Sequence, residues 1–168
     1  MAKDVLKSLQ EREMLETVSD PQAIEAELAK GPVSIYVGFD PSAPSLHVGH
    51  LLPIMALAHF QRAGHRPIPV VGGATGMIGD PSGRSSERQL LTAEVVAHNA
   101  LCLKKQLANF LKFEGENAAE MLDNNDWIGS MSYVDWLRDV GKYFTVNYMM
   151  AKAAVRRRLE DREHGISY

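Results

Sequence analysis

Residues 33 to 39 are Val-Ser-Ile-Tyr-Val-Gly-Phe, a short β-branched and aromatic run that is typical of a strand. Apolar residues then recur at helical spacing from Leu51 to Ala63, and Gly64 is a typical helix stop. A second short apolar run, Ile68 to Val71, follows. Strand, helix and strand of these lengths predict a βαβ unit with parallel neighbouring strands. The predicted fold class is therefore α/β, half of a nucleotide-binding fold.

Helices are predicted on both sides of this unit. Upstream, Asp20 before Pro21 is an N-cap signal and Gly31-Pro32 is a stop, which together predict a helix over 21–30. Another helix is expected over 3–15. Downstream we expect helices over about 92–113, from Ser132 (with Asp135 as a capping box) to Gly141, and from Thr145 to just before Gly165, while 118–122 is ambiguous between helix and strand.

Composition excludes several classes of protein. The 168 residues are 45% hydrophobic and 23% charged, ordinary globular values, and the net charge of −3 provides no general attraction for nucleic acid. The single cysteine, Cys102, can build neither a disulfide framework nor a thiolate metal cluster. No apolar run is long enough for a signal core or a membrane span. We therefore expect a cytoplasmic protein that has no membrane partner.

Two loops contain the residues that could bind a ligand or take part in a reaction. One runs from Gly38 to His50, and the other from Gly72 to Gly83. Each follows a predicted strand of the parallel sheet. Both are therefore expected at the carboxyl edge, where open α/β folds bind ligands.

The first loop contains His47 and His50, three residues apart at the start of a helix. They share a face beside the free backbone N–H groups, so the pattern indicates an anion site with two added donors. Gly49 between them lacks a Cβ, which lets a flat base or ribose approach the backbone. The alternative is that both histidines only cap the helix or lie on its surface. A zinc site is disfavoured because no further Cys or His cluster accompanies the pair.

The second loop is rich in glycine, which permits close approach to a ligand, and Asp80 is placed where it could recognise an ammonium group. The alternative is that residues 80–83 form an ordinary turn. Arg84 and Arg88 follow at helical spacing and could hold a polyphosphate together. Alternatively, they belong to a solvated helix face.

These motifs together resemble the bacterial tyrosyl-tRNA synthetases. The resemblance is carried by 36–50, with His47-Val48-Gly49-His50 matching the first class I signature, by 60–67, by 72–83, and by 124–129, 137–142 and 146–152. It covers nearly the whole chain. It implies a Rossmann-like parallel sheet with flanking helices, an incomplete class I catalytic domain. On that basis, 1–32 is an N-terminal helical segment and 33–168 the first half of the catalytic domain.

The resemblance implies how the substrates are divided along the site. Tyr36 would bind the tyrosine phenol, Asp80 its ammonium group, and Gly38 and Asp40 would line the aminoacyl-adenylate. Thr75 and Asn124 would also contact this substrate. ATP would enter as a substrate with Mg²⁺ from solution. Its contacts would be Ser42, His47, Gly49 and His50. Arg84 and Arg88 would hold the departing pyrophosphate.

The implied reaction joins tyrosine to ATP as tyrosyl-adenylate and then transfers the tyrosyl group to tRNA(Tyr), in a homodimer without a resident metal. Ser42, Arg84 and Asn125 replace the Thr, Lys and aromatic residue that the family commonly has at these positions. The second signature and the anticodon-binding domain would lie beyond Tyr168, so the fragment alone is expected to be inactive. Two alternatives stay open: an adenylyltransferase with the same Gly-His loop, and a non-catalytic module that binds tyrosine or ATP.

Overall fold

The structure, a computed structural model, describes residues 5–78 and 91–160. Its strands are β1 (Ser34–Phe39), β2 (Arg66–Val71) and β3 (Leu122–Asp123). Its helices are α1 (Val5–Gln10), α2 (Pro21–Lys30), α3 (Val48–Arg62), α4 (Gly73–Ile78), α5 (Ala93–Leu107), α6 (Asn125–Ile128), α7 (Tyr133–Asp139), α8 (Val146–Met150) and α9 (Ala153–Glu160). A 3₁₀ turn, Gly141–Tyr143, follows α7.

The three strands form one parallel sheet in the order β1-β2-β3. Strands β1 and β2 are in register from Ser34 opposite Arg66 to Phe39 opposite Val71, so both end at the same edge. Helix α3 connects them, which confirms the predicted βαβ unit. The short β3 pairs with the end of β2, placing Asp123 beside Val71. The segment 118–122, which the sequence left ambiguous between helix and strand, therefore leads into a strand.

The helix predictions hold in part. Helix α2 has the predicted limits, and the Asp20 side chain accepts a hydrogen bond from the Ala23 N–H at 3.0 Å. The helix predicted over 3–15 ends at Gln10, because the chain turns back through Glu13 at a φ of 55°. Helix α5 ends at Leu107 rather than near residue 113, since the following turn carries Leu111 into the core. The last predicted helix is two helices, α8 and α9, separated at residues 151–152.

Two apolar clusters hold the elements around the sheet. The larger joins the sheet, α3 and α5, and its members are Phe39, Ile54, Leu57, Ala58, Leu103, Leu107, Leu111 and Ala119. In the smaller cluster, Val5 and Leu9 of α1 pack on Phe60 of α3. Burying one such Leu or Phe side chain contributes about 1.5 to 3 kcal/mol. Phe39, the last residue of β1, is therefore held in the larger cluster at the edge where both strands end.

Candidate functional site

A cleft of about 370 Å³ opens at the carboxyl edge of the sheet. This volume lies within the range of small-molecule sites. Its lining residues are Gly38, Phe39, Asp40, His50, Val70, Gly72, Thr75 and Asn124. The structure thus brings together five of the residues singled out from the sequence: Gly38, Asp40, His50, Thr75 and Asn124.

The start of α3 forms one wall of this cleft. His47 is the N-cap, and its Nδ1 accepts a hydrogen bond from the Gly49 N–H at 3.1 Å. In return, the His47 N–H donates to Nδ1 of His50 at 3.1 Å. The two imidazole rings lie 3.9 Å apart between centroids, tilted by 41°. The two histidines form a reciprocal capping box, in which a histidine replaces the usual Glu or Gln at the third helical position.

These bonds also assign the ring protons. A neutral imidazole that accepts at Nδ1 carries its proton on Nε2, so each ring keeps an Nε2–H to donate elsewhere. The pKa of His50 is lowered, first by burial and then by the neighbouring His47, while a backbone hydrogen bond and Asp40 act in the opposite direction. Burial and His47 therefore favour the neutral form of His50. Sequence reasoning offered capping and ligand binding as alternatives for this pair, whereas the geometry permits both at once.

Gly49 has a steric role inside the protein. A Cβ on this residue would lie 2.9 Å from Cε1 and 3.0 Å from Nδ1 of His47. Such contacts are too short, so a side chain here would displace the capping ring. The interpretation from the sequence was close approach of a ligand to the backbone. The close approach that the structure contains is that of His47.

The start of α4 forms the opposite wall, within a segment that the sequence analysis treated as loop. The Gly73 N–H donates to Oδ1 of Asp123 at 3.1 Å, and the Ala74 N–H donates to Oδ1 of Asn124 at 2.8 Å. The Asn124 amide donates to Oγ1 of Thr75 at 3.1 Å. The end of β3 therefore holds α4 and orients the Thr75 hydroxyl.

Asp123 is the functional-site residue that the sequence analysis missed. Its carboxylate also accepts from the Asn125 N–H at 2.9 Å, and a Cβ on Gly73 would overlap it. Residues 118–122 were left undecided between helix and strand. Assigning them to a parallel strand would have placed Asp123 at the carboxyl edge beside Asn124.

Glycine 38 is the open position of the cleft. Among the described residues, a Cβ built there meets no atom within 4 Å, although Gly38 lies near the carboxyl end of β1. Tyr36, two residues earlier on the same strand face, is 75% exposed and does not line the cleft. Ser42 is exposed in the loop before α3. Asp80, Arg84 and Arg88 lie outside the described residues.

A family model described as tRNA synthetases class I (W and Y) matches residues 28–168. The chain belongs to this family. The class I synthetase sequence is 53% identical over 165 residues to a tyrosine--tRNA ligase of Opitutus terrae, covering 98% of this chain and 39% of that relative. It is 50% identical over 166 residues to the ligase of Salmonella enteritidis PT4, with the same coverage of both chains. The class I synthetase chain thus spans about 39% of the length of these relatives.

Solved structures agree with the class I assignment. A C-terminally truncated mitochondrial tyrosyl-tRNA synthetase of Aspergillus nidulans superposes with a TM-score of 0.84 at 31% identity, covering 99% of this chain and 49% of that one. The corresponding structure from Coccidioides posadasii superposes with a TM-score of 0.78 at 29% identity, and the match covers 98% of this chain and 47% of that one. The three-stranded sheet and its helices are therefore part of a class I, Rossmann-like catalytic fold.

The described residues contain neither a candidate metal site nor a candidate membrane span. Within residues 5–78 and 91–160, no group of three or more His, Cys, Asp or Glu side chains is arranged to hold a metal ion. In the same part of the chain, no helix combines the length and apolarity needed to cross a membrane.

Proposed function

We propose that this chain is the first half of the catalytic domain of a tyrosine--tRNA ligase, with residues 1–32 as an N-terminal helical segment. The observation that carries the proposal is the histidine capping box, which fixes the His50 ring at a cleft containing Gly38, Asp40 and Thr75 and holds the His47 ring directly beside it. Membership of the class I synthetases and about 50% identity to ligases named for tyrosine support the choice of amino acid.

The proposed first step is an in-line displacement. A carboxylate oxygen of tyrosine attacks the α-phosphorus of ATP, the bond from that phosphorus to the bridging oxygen breaks, and pyrophosphate leaves with the bond's electron pair. Tyrosyl-adenylate remains, and no protein nucleophile is required. Catalysis then depends on holding the reactants in line and on donors that meet the growing negative charge.

The tyrosine end is assigned to Tyr36, Gly38, Asp40, Thr75, Asp80 and Asn124. Tyr36 would bond the phenol and Asp80 the ammonium group. Asn124 acts partly through its hydrogen bond to Thr75. The empty space beside Gly38 supports this arrangement, because a substrate pressed against that backbone is compatible with glycine and excludes larger side chains.

The ATP end is assigned to Ser42, His47, Gly49 and His50, with Arg84 and Arg88 on the departing pyrophosphate. The Nε2–H groups of His47 and His50 would donate to phosphate oxygens or to the ribose. An imidazole N–H suits this role, since a fixed donor at a helix start binds an anion without a proton having to be exchanged. Mg²⁺ would enter bound to ATP.

Several proposals concern the complete enzyme rather than this chain. They are transfer of the tyrosyl group to tRNA(Tyr), assembly as a homodimer and a cytoplasmic location. The free thiol Cys102 is compatible with a reducing compartment. Since the chain spans 39% of its relatives, we propose that it does not complete the reaction alone.

The direct test is tyrosine-dependent exchange of pyrophosphate into ATP. We expect exchange with the complete protein that contains this chain, dependent on tyrosine and not on phenylalanine, and exchange near background with residues 1–168 alone. Exchange without any amino acid would indicate another adenylyltransferase. Binding of tyrosine or ATP without exchange would indicate a non-catalytic module.

A substitution of Gly38 tests whether the cleft is the substrate site. Because an added Cβ there has open space among the described residues, Gly38→Val should leave Tm nearly unchanged while it blocks tyrosine binding. The matched control is Ser34→Val, an exposed position on the same strand face at the far end of β1. Normal tyrosine binding by the Gly38 variant would remove the cleft from the assignment.

A further inference from the structure

The loop of residues 41–46, which leads into His47 and His50, is not held by hydrogen bonds between backbone groups. Within the described residues, no backbone–backbone hydrogen bond reaches residues 41–46. Pro41 and Pro44 have no N–H to donate. Something else must therefore hold this loop, because its conformation decides where His47 begins α3.

Asn99 of α5 holds the start of the loop. Its side-chain amide donates to the carbonyl oxygen of Pro41 at 2.8 Å, and Asn99 is only 3% exposed. The ring of Pro41 is itself buried, and Gly76 of α4 faces it from another side, where an added Cβ would lie 3.4 Å away. The first residue after Asp40 is therefore clamped between two helices.

Gln106, two helical turns further along α5, holds the end of the loop. Its Oε1 accepts from the Leu46 N–H at 3.0 Å, and its Nε2 donates to the Pro44 carbonyl at 2.9 Å. The same Nε2 also donates to the Cys102 carbonyl of its own helix at 3.1 Å, which orients the side chain. One amide thus meets a donor and an acceptor of the loop simultaneously.

The position of this clamp connects it to the histidines. Gln106 fixes the Leu46 N–H, and the next N–H along the chain, that of His47, is the donor that orients the His50 ring. A shift of Leu46 would move this donor and the N-cap together. Geometry at the imidazole donors therefore depends on a helix that contributes no residue to the cleft.

We propose that Asn99 and Gln106 are positioning residues, which act through the 41–46 loop to set the geometry of His47 and His50. The structural part of this inference stands on the hydrogen bonds above. Its kinetic consequence rests on the proposed tyrosine-activating function.

The test uses Gln106 in the complete enzyme, because this side chain is only partly buried and its loss should leave the fold intact. Gln106→Met removes both contacts to the loop, whereas Gln106→Glu keeps an acceptor for the Leu46 N–H and loses the donor to Pro44. The control is Asn109→Ala, an amide two residues past the end of α5 whose side chain, among the described residues, donates to the Gln106 carbonyl alone.

We expect Gln106→Met to slow single-turnover adenylate formation about tenfold or more, since small displacements of positioned groups have effects of this order. KM for tyrosine should change less than twofold, Gln106→Glu should be intermediate, and Asn109→Ala should match the parent. A variant with lower Tm but parental kinetics and parental His50 signals would show that the clamp is merely structural, and would overturn the proposal.

The second readout does not need activity. NMR of labelled histidines should show the His50 resonances and pKa moving towards those of an unconstrained imidazole in Gln106→Met, and not in Asn109→Ala. Unchanged His50 signals would overturn the positioning role. If the parent protein lacks tyrosine activation, the proposed function fails, but this measurement still decides whether the clamp positions His50.

Discussion

Helix α5 and the α7–α8 region both carry apolar side chains at helical spacing, yet only α5 buries some of them. Val96, Leu103 and Leu107 of α5 are buried, and the two leucines belong to the cluster shared with the sheet and α3. Neither α7 nor α8 contains a buried residue. Their exposed apolar side chains are Tyr133, Val134, Trp136, Leu137, Val146, Tyr148, Met149 and Met150.

The difference shows that an amphipathic pattern specifies a helix and its apolar face, but does not specify what covers that face. The side of α5 that carries Val96, Leu103 and Leu107 is covered within this chain, whereas its Val95 and Leu101 are exposed. Exposed apolar side chains in such number are typical of an interface. They fit the larger, homodimeric enzyme proposed above, in which further parts of the protein or a second subunit would cover them.

The largest effect is expected from the covered helix. Leu107 is fully buried at 0% exposure, so Leu107→Ala should lower the free energy of unfolding by about 2 to 5 kcal/mol, through lost burial and the cavity left behind. Urea unfolding of the 168-residue chain measures this value.

The matched control is Leu137→Ala in α7, where the leucine is 39% exposed. This substitution should change the free energy of unfolding of the same chain by less than about 0.5 kcal/mol, as for most surface substitutions. Equal losses for the two leucines would contradict the burial contrast between the regions.

His50→Ala tests whether the packed region carries the chemistry. Loss of one positioned donor should raise the barrier to adenylate formation by about 2 to 4 kcal/mol. Tyrosine binding should weaken much less, because the proposed contact strengthens as phosphate charge redistributes. Single-turnover kinetics of the complete enzyme measure both quantities, and equal rates for variant and parent would remove His50 from the site.

Gly49→Ala should disturb the capping box without removing either histidine. The new Cβ would collide with the His47 ring and break its bond to the residue 49 N–H, at a cost typical of a lost N-cap, about 1 kcal/mol. The Tm and the affinity for ATP should both decrease. If Tm and affinity are those of the parent, the ring has space that the structure does not provide.

The smallest effect concerns pH and His65, which is buried beside Phe60 and accepts from the Val33 N–H. Burial lowers the pKa of His65, so the unfolded chain binds the proton more readily than the folded one. The contribution of His65 to the free energy of unfolding is fully present above the pKa of the unfolded chain, about 6.5. It is lost as the pH falls through the lower pKa of His65 in the folded protein.

Urea unfolding at about pH 7.5 and about pH 5.5 should therefore show lower stability at the acidic value. His50 and His59 have lowered pKa values as well, mainly from burial, and contribute in the same direction. His65→Gln should reduce the difference between the two pH values. An identical difference in this variant would mean that His65 does not contribute.

Prediction from the sequence succeeded where the pattern is local. The limits of α2 follow from Asp20, Pro21 and Gly31, because a cap needs only neighbouring residues. It was less successful where a distant contact decides the end of an element. The 92–113 helix stops early because Leu111 turns into the core, and α4 forms in a glycine-rich segment because Asp123 and Asn124 satisfy its first N–H groups.

The sequence by itself determined the βαβ unit, the carboxyl-edge location of its two loops and the family resemblance, since these depend on residue type and spacing along the chain. Only the tertiary structure decided that His47 and His50 cap each other, that Asp123 supports α4 and that α5 clamps the loop before His47. Asp123 and Gln106 bond residues that lie 50 and 60 positions away, respectively. Such pairs are brought together only when the sheet and the core have formed, because no local pattern encodes the partner of a side-chain hydrogen bond.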